Sequence, residues 1–185
     1  MHEHYPAEAV RANASSGHRA ADSRPTVFLL TGLTGSGKTT FSRRVLEPQG
    51  ATRLSVDELV HQRHGRYGVD YPEYEYFERQ APVLVEVRER LAELIGQGRD
   101  VVVDHGLWRI ADRAEWKKLV LDAGGRWRLL YFPVERPELL RRLAERNLRE
   151  DANALTVSEE ALNDFYARFD PPQGEGEEIV PAGTF

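Results

Sequence analysis

A three-layer α/β/α sandwich on a parallel sheet of about five strands is the architecture this sequence predicts, and three features carry that expectation. Short apolar runs alternate with longer stretches of helical periodicity from Thr26 onward. One run, Val101-Val102-Val103, is apolar at consecutive positions, as a strand covered on both faces must be. A third feature is the glycine-rich octet that follows the first run, with a spacing suited to turning a strand into a helix. The 185 residues suffice for one such domain with its own core, and no internal repeat or second domain is visible. That domain is expected over residues 25–181, leaving 1–24 as a polar, flexible N-terminal arm.

Taken in order, Thr26-Val27-Phe28-Leu29-Leu30 reads as the first strand and Thr39 to Leu46 as the first helix. Thr52 to Val56 forms a short strand ending on Asp57, followed by a helix from Glu58 to His64. Gly65, Gly68 and Pro72 mark a loop. A long helical region then starts near Glu73, in which Val83, Leu84, Val87, Leu91, Leu94 and Ile95 share one face. Pro82 is expected to kink or divide it, and Gly96 to Gly98 to end it. The valine strand closes on Asp104, a helix spans Ile110 to Ala123, and Arg128 to Phe132 is the next strand. Pro137 sits where a first-turn helix proline belongs, opening a helix to Arg149 that breaks over 150–154. Thr156-x-x-Glu159 is a capping box for a last helix to Phe169, stopped by Pro171-Pro172, with Ile179-Val180 as a short final strand.

In a parallel sheet, ligands bind beyond the carboxyl ends of the strands, so the residues leaving those ends carry the functional expectation. Gly32-Leu33-Thr34-Gly35-Ser36-Gly37-Lys38-Thr39 fits G-x-x-x-x-G-K-[ST] between a strand and a helix, the context a phosphate-binding loop requires. Its glycines let backbone N–H groups converge on phosphate oxygens at the positive end of the following helix. Gly32, Thr34, Gly35, Ser36, Gly37, Lys38, Thr39 and Thr40 are therefore the expected nucleotide contacts, with Lys38 on the β- and γ-phosphates and Thr39 on Mg²⁺. Asp104, closing a buried strand, resembles a Walker-B carboxylate that holds Mg²⁺ through water. Asp57 ends the second strand, where a carboxylate can take the proton of an acceptor hydroxyl, or simply cap the helix. Arg142, Arg146 and Arg149 recur on one helical face before the break, suiting a lid over residues 142–157 whose guanidiniums neutralise a transferring phosphoryl group. Residues 61–80 crowd Arg63, Tyr67, Tyr71 and further aromatics into a short segment, and His105 and Trp108 follow Asp104. Together with Asp57 they form the expected acceptor pocket, suited to a polyhydroxylated or ring-bearing small molecule. A zinc site from His61, His64 and His105 has no ligand spacing in its favour.

The phosphate loop, Asp57, Asp104 and the segment Leu140-Arg141-Arg142-Leu143-Ala144-Glu145-Arg146-Asn147 resemble the P-loop kinase family. The nearer likenesses are its AAA_33-like ATP-binding proteins, chloramphenicol phosphotransferase, the zeta toxins and the polynucleotide 5′-kinase domain. The resemblance runs over roughly Thr26 to Phe169. It implies a P-loop NTPase fold, ATP and Mg²⁺ as cofactors, a catalytic role for Lys38, service to the acceptor hydroxyl by Asp57, and contact with ATP by Arg142 and Arg146. The acceptor itself does not carry over.

Composition narrows the field. Cysteine is absent, which removes disulfides, thiolate metal sites and cysteine nucleophiles. A net charge of −5 with interspersed signs disfavours a nucleic-acid footprint, and no apolar stretch approaches a membrane span. Without a signal-peptide pattern the expected location is cytoplasmic, as a monomer or homodimer. These readings converge on ATP-dependent transfer of the γ-phosphate to a small-molecule hydroxyl, of an antibiotic or a metabolite. The alternatives are a P-loop ATPase or nucleotide switch without an acceptor, and a polynucleotide 5′-kinase. His105 after Asp104 removes the Asp-Glu pair of many mechanical ATPases, and no Asn-Lys-x-Asp guanine-reading motif occurs.

Overall fold

A computed structural model describes residues 22–146 and 159–183. The strands are β1 (Thr26–Thr31), β2 (Thr52–Ser55), β3 (Val101–Asp104), β4 (Arg126–Tyr131) and β5 (Glu177–Ile179). They form one sheet in the order β2-β3-β1-β4-β5, and every pairing is parallel. The helices are α1 (Lys38–Phe41), continued by a wider turn at Ser42–Leu46 and a tight one at Glu47–Gln49, then α2 (Val56–His64), α3 (Tyr76–Gly96), α4 (Ile110–Asp122), α5 (Arg136–Arg146) and α6 (Glu159–Arg168).

Side chains alternate across the sheet, and the sequence assigns a helical layer to each face. Val27, Leu29, Val101, Val103 and Leu129 point to the face covered by α2, α3 and α4, where they meet Val56, Val83, Val87, Leu91, Leu94, Trp116 and Val120. Phe28, Leu30, Val102 and Leu130 point to the other face and meet Phe41 and Leu46 of the first helix, with Phe132 and Val180. All three valines of β3 are fully buried, each removal from water contributing about 1.5 kcal/mol or more. A third cluster, Leu33, Leu139, Leu143 and Leu162, stacks α5 and α6 over the phosphate loop.

Besides small shifts in the bounds of β4 and β5, three details differ from the sequence-based expectations. Strand β2 stops at Ser55, not Val56, and the Ser55 hydroxyl accepts the Glu58 N–H as the cap of α2, so Asp57 lies in the first helical turn. Its carboxylate accepts instead from the Tyr76 hydroxyl. Pro82 does not divide α3, which runs unbroken from Tyr76 to Gly96 because Val83, Val87, Leu91 and Leu94 hold both halves to the same core. Helix α5 begins at Arg136, one residue before Pro137. The break at 150–154 and the capping box at Thr156 lie outside the described residues.

Arg113 was no part of the sequence reading, yet it ties the carboxyl edge together. Fully buried on α4, it donates to the Leu107 and Trp108 carbonyls at 3.0 and 3.1 Å and to Glu175 at 2.5 and 2.9 Å. Lys117 also reaches Glu175, and these cations hold its carboxyl below the usual range, the Arg113 hydrogen bond first among them. Removing one partner of a buried pair strands the other charge. Glu175→Ala should therefore cost about 3 kcal/mol, lowering the thermal midpoint by about 6–12 °C. Replacing both partners in Arg113→Met/Glu175→Leu should cost less than the single change, as measured by denaturant titration of the two variants.

Candidate active site

The site is built where β1 and β3, neighbours in the sheet, release their loops on the same edge. Gly32 leaves β1 with φ 151°, and a Cβ there would meet the Ser36 hydroxyl at 2.8 Å and the Phe132 carbonyl at 2.9 Å. Gly35 and Gly37 take φ of 85° and 102°, a left-handed region open to glycine at little cost. Gly37 caps α1, so the loop's N–H groups and the helix N-terminus face one point. Lys38 folds back over the loop and donates to the carbonyls of Gly32 and Leu33 at 2.7 and 2.8 Å. Thr34 is half-buried beside them, Ser36 is buried, and Thr40 is exposed one position past Thr39.

Thr39 donates to Asp104 Oδ1 at 3.3 Å, so the hydroxyl and carboxylate expected at the metal adjoin each other. The pair suits Mg²⁺, which keeps several waters and binds through one or two protein oxygens plus phosphates. The second oxygen of Asp104 accepts from Arg53 Nε at 2.8 Å. Arg53 in turn grips both Glu58 oxygens at 2.9 and 2.7 Å, and Arg43 joins Glu58 from the surface at 2.5 Å. Burial opposes the Arg53 charge, but the hydrogen bonds to Glu58 and Asp104 prevail and hold it above its ordinary value.

Tyr76 of α3 donates its hydroxyl to Asp57 Oδ1 and accepts from Gln80 Nε2 at 3.1 Å. Burial, then the neighbouring carboxylate, pushes the Tyr76 phenol far above its usual value, so it stays a neutral donor. His105 lies within the fields of Asp57, Asp112, Lys38 and Asp104, and burial pushes it below the ordinary imidazole value. Trp108 closes the group, donating Nε1 to the Gly32 carbonyl at 3.2 Å and packing on Phe165 at 5.0 Å. The Thr31 hydroxyl pins the intervening loop through the Leu107 carbonyl at 2.7 Å.

Lys38, Thr39, Asp104, Asp57, His105 and Trp108 thus gather on one edge of the sheet. The remaining acceptor candidates occupy the wall between α2 and α3. Tyr67 stacks edge-on against Tyr76 at 5.5 Å and Tyr71 at 6.4 Å, and its hydroxyl donates to Glu73. Tyr71 is buried in the core with Arg79 over its ring. Arg63 is ion-paired with Glu86 on α3. His64 lies against Arg79 and Tyr71, and among the described residues no three histidines, cysteines or acids gather as metal ligands. Arg142 comes over the loop from α5, donating to Glu138 at 2.6 Å and to the Ser36 carbonyl at 3.4 Å. Two arginines, Arg141 and then Arg142, hold the Glu138 carboxyl at about 2. Arg146 ends α5, and its side chain, like residues 147–157 of the expected lid, lies outside the described residues.

Arg53, Tyr76 and Gln80 were not singled out as site residues from the sequence. Tyr76 and Gln80 stand four apart, which places them on one helical face and was a usable signal. Arg53 left no comparable trace, because its link to Asp104 follows from β2 pairing β3 with Ser55 opposite Asp104. A cavity of about 110 Å³ lies between the loop and α6, lined by Leu33, Ser36, Tyr131, Phe132, Leu139 and Tyr166. It is smaller than the roughly 300 Å³ at which ligand pockets begin. Among the described residues, no helix is long and apolar enough to cross a membrane.

A family model described as an AAA domain, AAA_33, matches residues 27–172. No curated protein matches the chain. Among solved structures, a suspected kinase from Chloroflexus aurantiacus j-10-fl superposes with a TM-score of 0.68 at 19% identity, over 88% of this chain and 87% of that one. A gluconokinase from Sinorhizobium meliloti 1021 gives 0.58 at 18% identity, over 86% and 83%. A chain of the Pnkp1/Rnl/Hen1 RNA repair complex gives 0.59 at 19%, over 84% of this chain and 49% of that one. At these identities the shared property is the fold.

The packing of α5 on the loop yields a direct test. A Cβ at Gly35 would meet Leu143 Cδ2 at 3.0 Å and Leu139 Cδ1 at 3.2 Å, on a backbone of positive φ. Gly35→Ala should lose about 1–2 kcal/mol from the backbone alone. Hydrogen exchange should quicken at Leu139–Leu143 more than in β1 or β3, which lie on the far side of the contact.

Proposed function

The chain belongs to the AAA_33 family, and from that premise we propose that it is an ATP-dependent phosphotransferase acting on a hydroxyl of a small molecule. The observation that carries this reading is that the loop hydroxyl of Thr39 meets the Asp104 carboxylate at 3.3 Å, while a second carboxylate, Asp57, is held in place by the Tyr76 hydroxyl at the start of α2. A phosphate loop with one carboxylate at its hydroxyl and a further carboxylate suited to take a proton is more than a simple nucleotide-binding module would need.

In this reading the loop N–H groups and Lys38 would hold the β- and γ-phosphates of ATP, and Thr39 and Asp104 would hold Mg²⁺. The metal would supply charge neutralisation on the phosphate oxygens. Asp57 accepts the proton of the acceptor hydroxyl as that oxygen forms its bond to the γ-phosphorus and ADP departs. Tyr76 holds Asp57 in one orientation by its hydrogen bond. Arg142, already against the Ser36 carbonyl, is placed to reach the transferring group, with Arg146 one turn further along α5. Arg63, Tyr67, Tyr71, His105 and Trp108 shape the acceptor side, whose rim exposes Val69, Tyr74 and Phe77. Such a rim suits an acceptor with a ring or an apolar face.

The acceptor is to be found by an ATP-dependent screen read as the mass gain of one phosphate, over nucleosides, aminoglycosides, sugars and phenicols. A 5′-hydroxyl oligonucleotide belongs in the panel, because one structural relative is part of an RNA repair complex. Phosphorylation of that oligonucleotide alone would replace the small-molecule reading by a polynucleotide kinase, and ATP hydrolysis with no acceptor modified would favour an ATPase.

Two substitutions test the assignment. Lys38→Ala should abolish transfer while the circular dichroism spectrum stays that of the parent, and unchanged kcat would exclude the mechanism. Asp57→Asn keeps an oxygen for Tyr76 and leaves the Ser55 cap untouched. ATP affinity should stay within a few-fold of the parent while the transfer rate falls by about 10²–10⁴, the range of a lost general base. Loss of charge at the helix N-terminus should lower stability by only about 0.3–1 kcal/mol.

A further inference from the structure

The Arg53 guanidinium is almost wholly buried, with its side chain 7% exposed, and it joins two carboxylates. To Asp104 it gives one hydrogen bond, on Oδ2. To Glu58 it gives two, one to each oxygen. Asp104 itself is 4% exposed in its side chain and turns Oδ1 to Thr39. The carboxylate at the metal position is therefore held from behind by a cation, in a fixed plane, with one oxygen directed at the threonine.

A free aspartate can rotate and offer both oxygens to a cation. Ca²⁺ exploits that freedom, taking six to eight oxygens with mono- or bidentate carboxylates, whereas Mg²⁺ demands octahedral geometry and keeps several waters. A carboxylate whose second oxygen accepts from a buried guanidinium is a poorer chelator, since metal and cation compete for that oxygen, and it accepts a hydrogen bond from a metal-bound water through the other. We propose that Arg53 is a positioning residue for the metal–nucleotide site: by occupying Asp104 Oδ2 it leaves Oδ1 alone for the cation's hydration shell, and so favours Mg·ATP over Ca·ATP. This rests on the nucleotide and metal assignment of the proposed function, not on the identity of the acceptor.

Placing a guanidinium near a divalent cation would ordinarily weaken metal binding by repulsion. Glu58 counters that repulsion, because its two-point contact sets a second carboxylate against the Arg53 charge, and Arg43 shares Glu58 only from the surface, farther from Asp104 along the chain of contacts. Glu58 sits on α2 one residue after Asp57, so the same helix turn that carries the acceptor-side carboxylate anchors the metal-side one. A purely structural role, tying β2 to β3, would affect stability and leave the choice of metal unchanged.

The test compares the Kd of a fluorescent ATP analogue measured with saturating Mg²⁺ and with saturating Ca²⁺, on the full chain and without any acceptor. Arg53→Gln should weaken the Mg²⁺ complex about tenfold, as loss of a residue that orients a metal ligand does, and weaken the Ca²⁺ complex much less. Glu58→Gln keeps Arg53 but loosens its anchor, and should shift the ratio the same way by about twofold. Arg53→Lys, which keeps charge but not the planar fork, should resemble Arg53→Gln in its ratio. An unchanged ratio in a folded Arg53→Gln variant overturns the proposal, and so does an unchanged ratio in both Arg53→Lys and Glu58→Gln if Arg53→Gln fails to fold. Equal affinity of the parent chain for the two metal complexes overturns it as well. A parent that shows the metal preference yet phosphorylates nothing fails the kinase reading alone.

Discussion

The constraint on which the rest of this structure depends is the central place of β1, paired in parallel with β3 on one side and β4 on the other. Because both neighbours are parallel, every connection must cross over the sheet, and all the strands release their loops at the same edge. The phosphate loop leaves β1 at that edge, Asp104 ends β3 beside it, and Phe132 leaves β4 close enough to limit Gly32 to a hydrogen. Residues that the chain separates by more than sixty positions, such as Thr39 and Asp104, meet there at 3.3 Å. The order of strands, more than any single contact, makes a site of them.

Around that edge the polar groups fall into two sets. One is the line Arg43–Glu58–Arg53–Asp104–Thr39, which runs from the surface to the phosphate loop through alternating charges. The other is Gln80–Tyr76–Asp57, which joins α3 to the first turn of α2. Glu58 and Asp57 are adjacent in the chain but serve different sets, because successive residues of a helix point about 100° apart. The short helix α2 is thereby shared between the two sets.

The loops that carry the site are held by contacts of a different kind. Buried Arg113 fixes the carbonyls of Leu107 and Trp108 and is itself fixed by Glu175, near the end of the described chain. Trp108 then rests on the phosphate loop and on Phe165 of α6. Helix α5 presses Leu139 and Leu143 against Gly35. Any movement of α5 and α6 would therefore be felt directly by the loop.

The sequence by itself determined the alternation of elements, the identity and form of the phosphate loop, and the presence of carboxylates at the ends of two strands. These are local properties: apolar periodicity, glycine at positive φ, and a Lys-Thr pair at a helix start each act within a few residues. Locally, the alternative of a capping role for Asp57 falls to Ser55, and of the two effects expected of Pro82, kinking or dividing its helix, the second does not occur. Only the tertiary structure decided which strand neighbours which, and with that the partner of every buried charge. Arg53 reads on the page as one of many arginines, and Tyr76 as one of several tyrosines. Each became part of the site because removing a polar group from water requires a partner, and which partner is near is fixed by packing across the whole sheet.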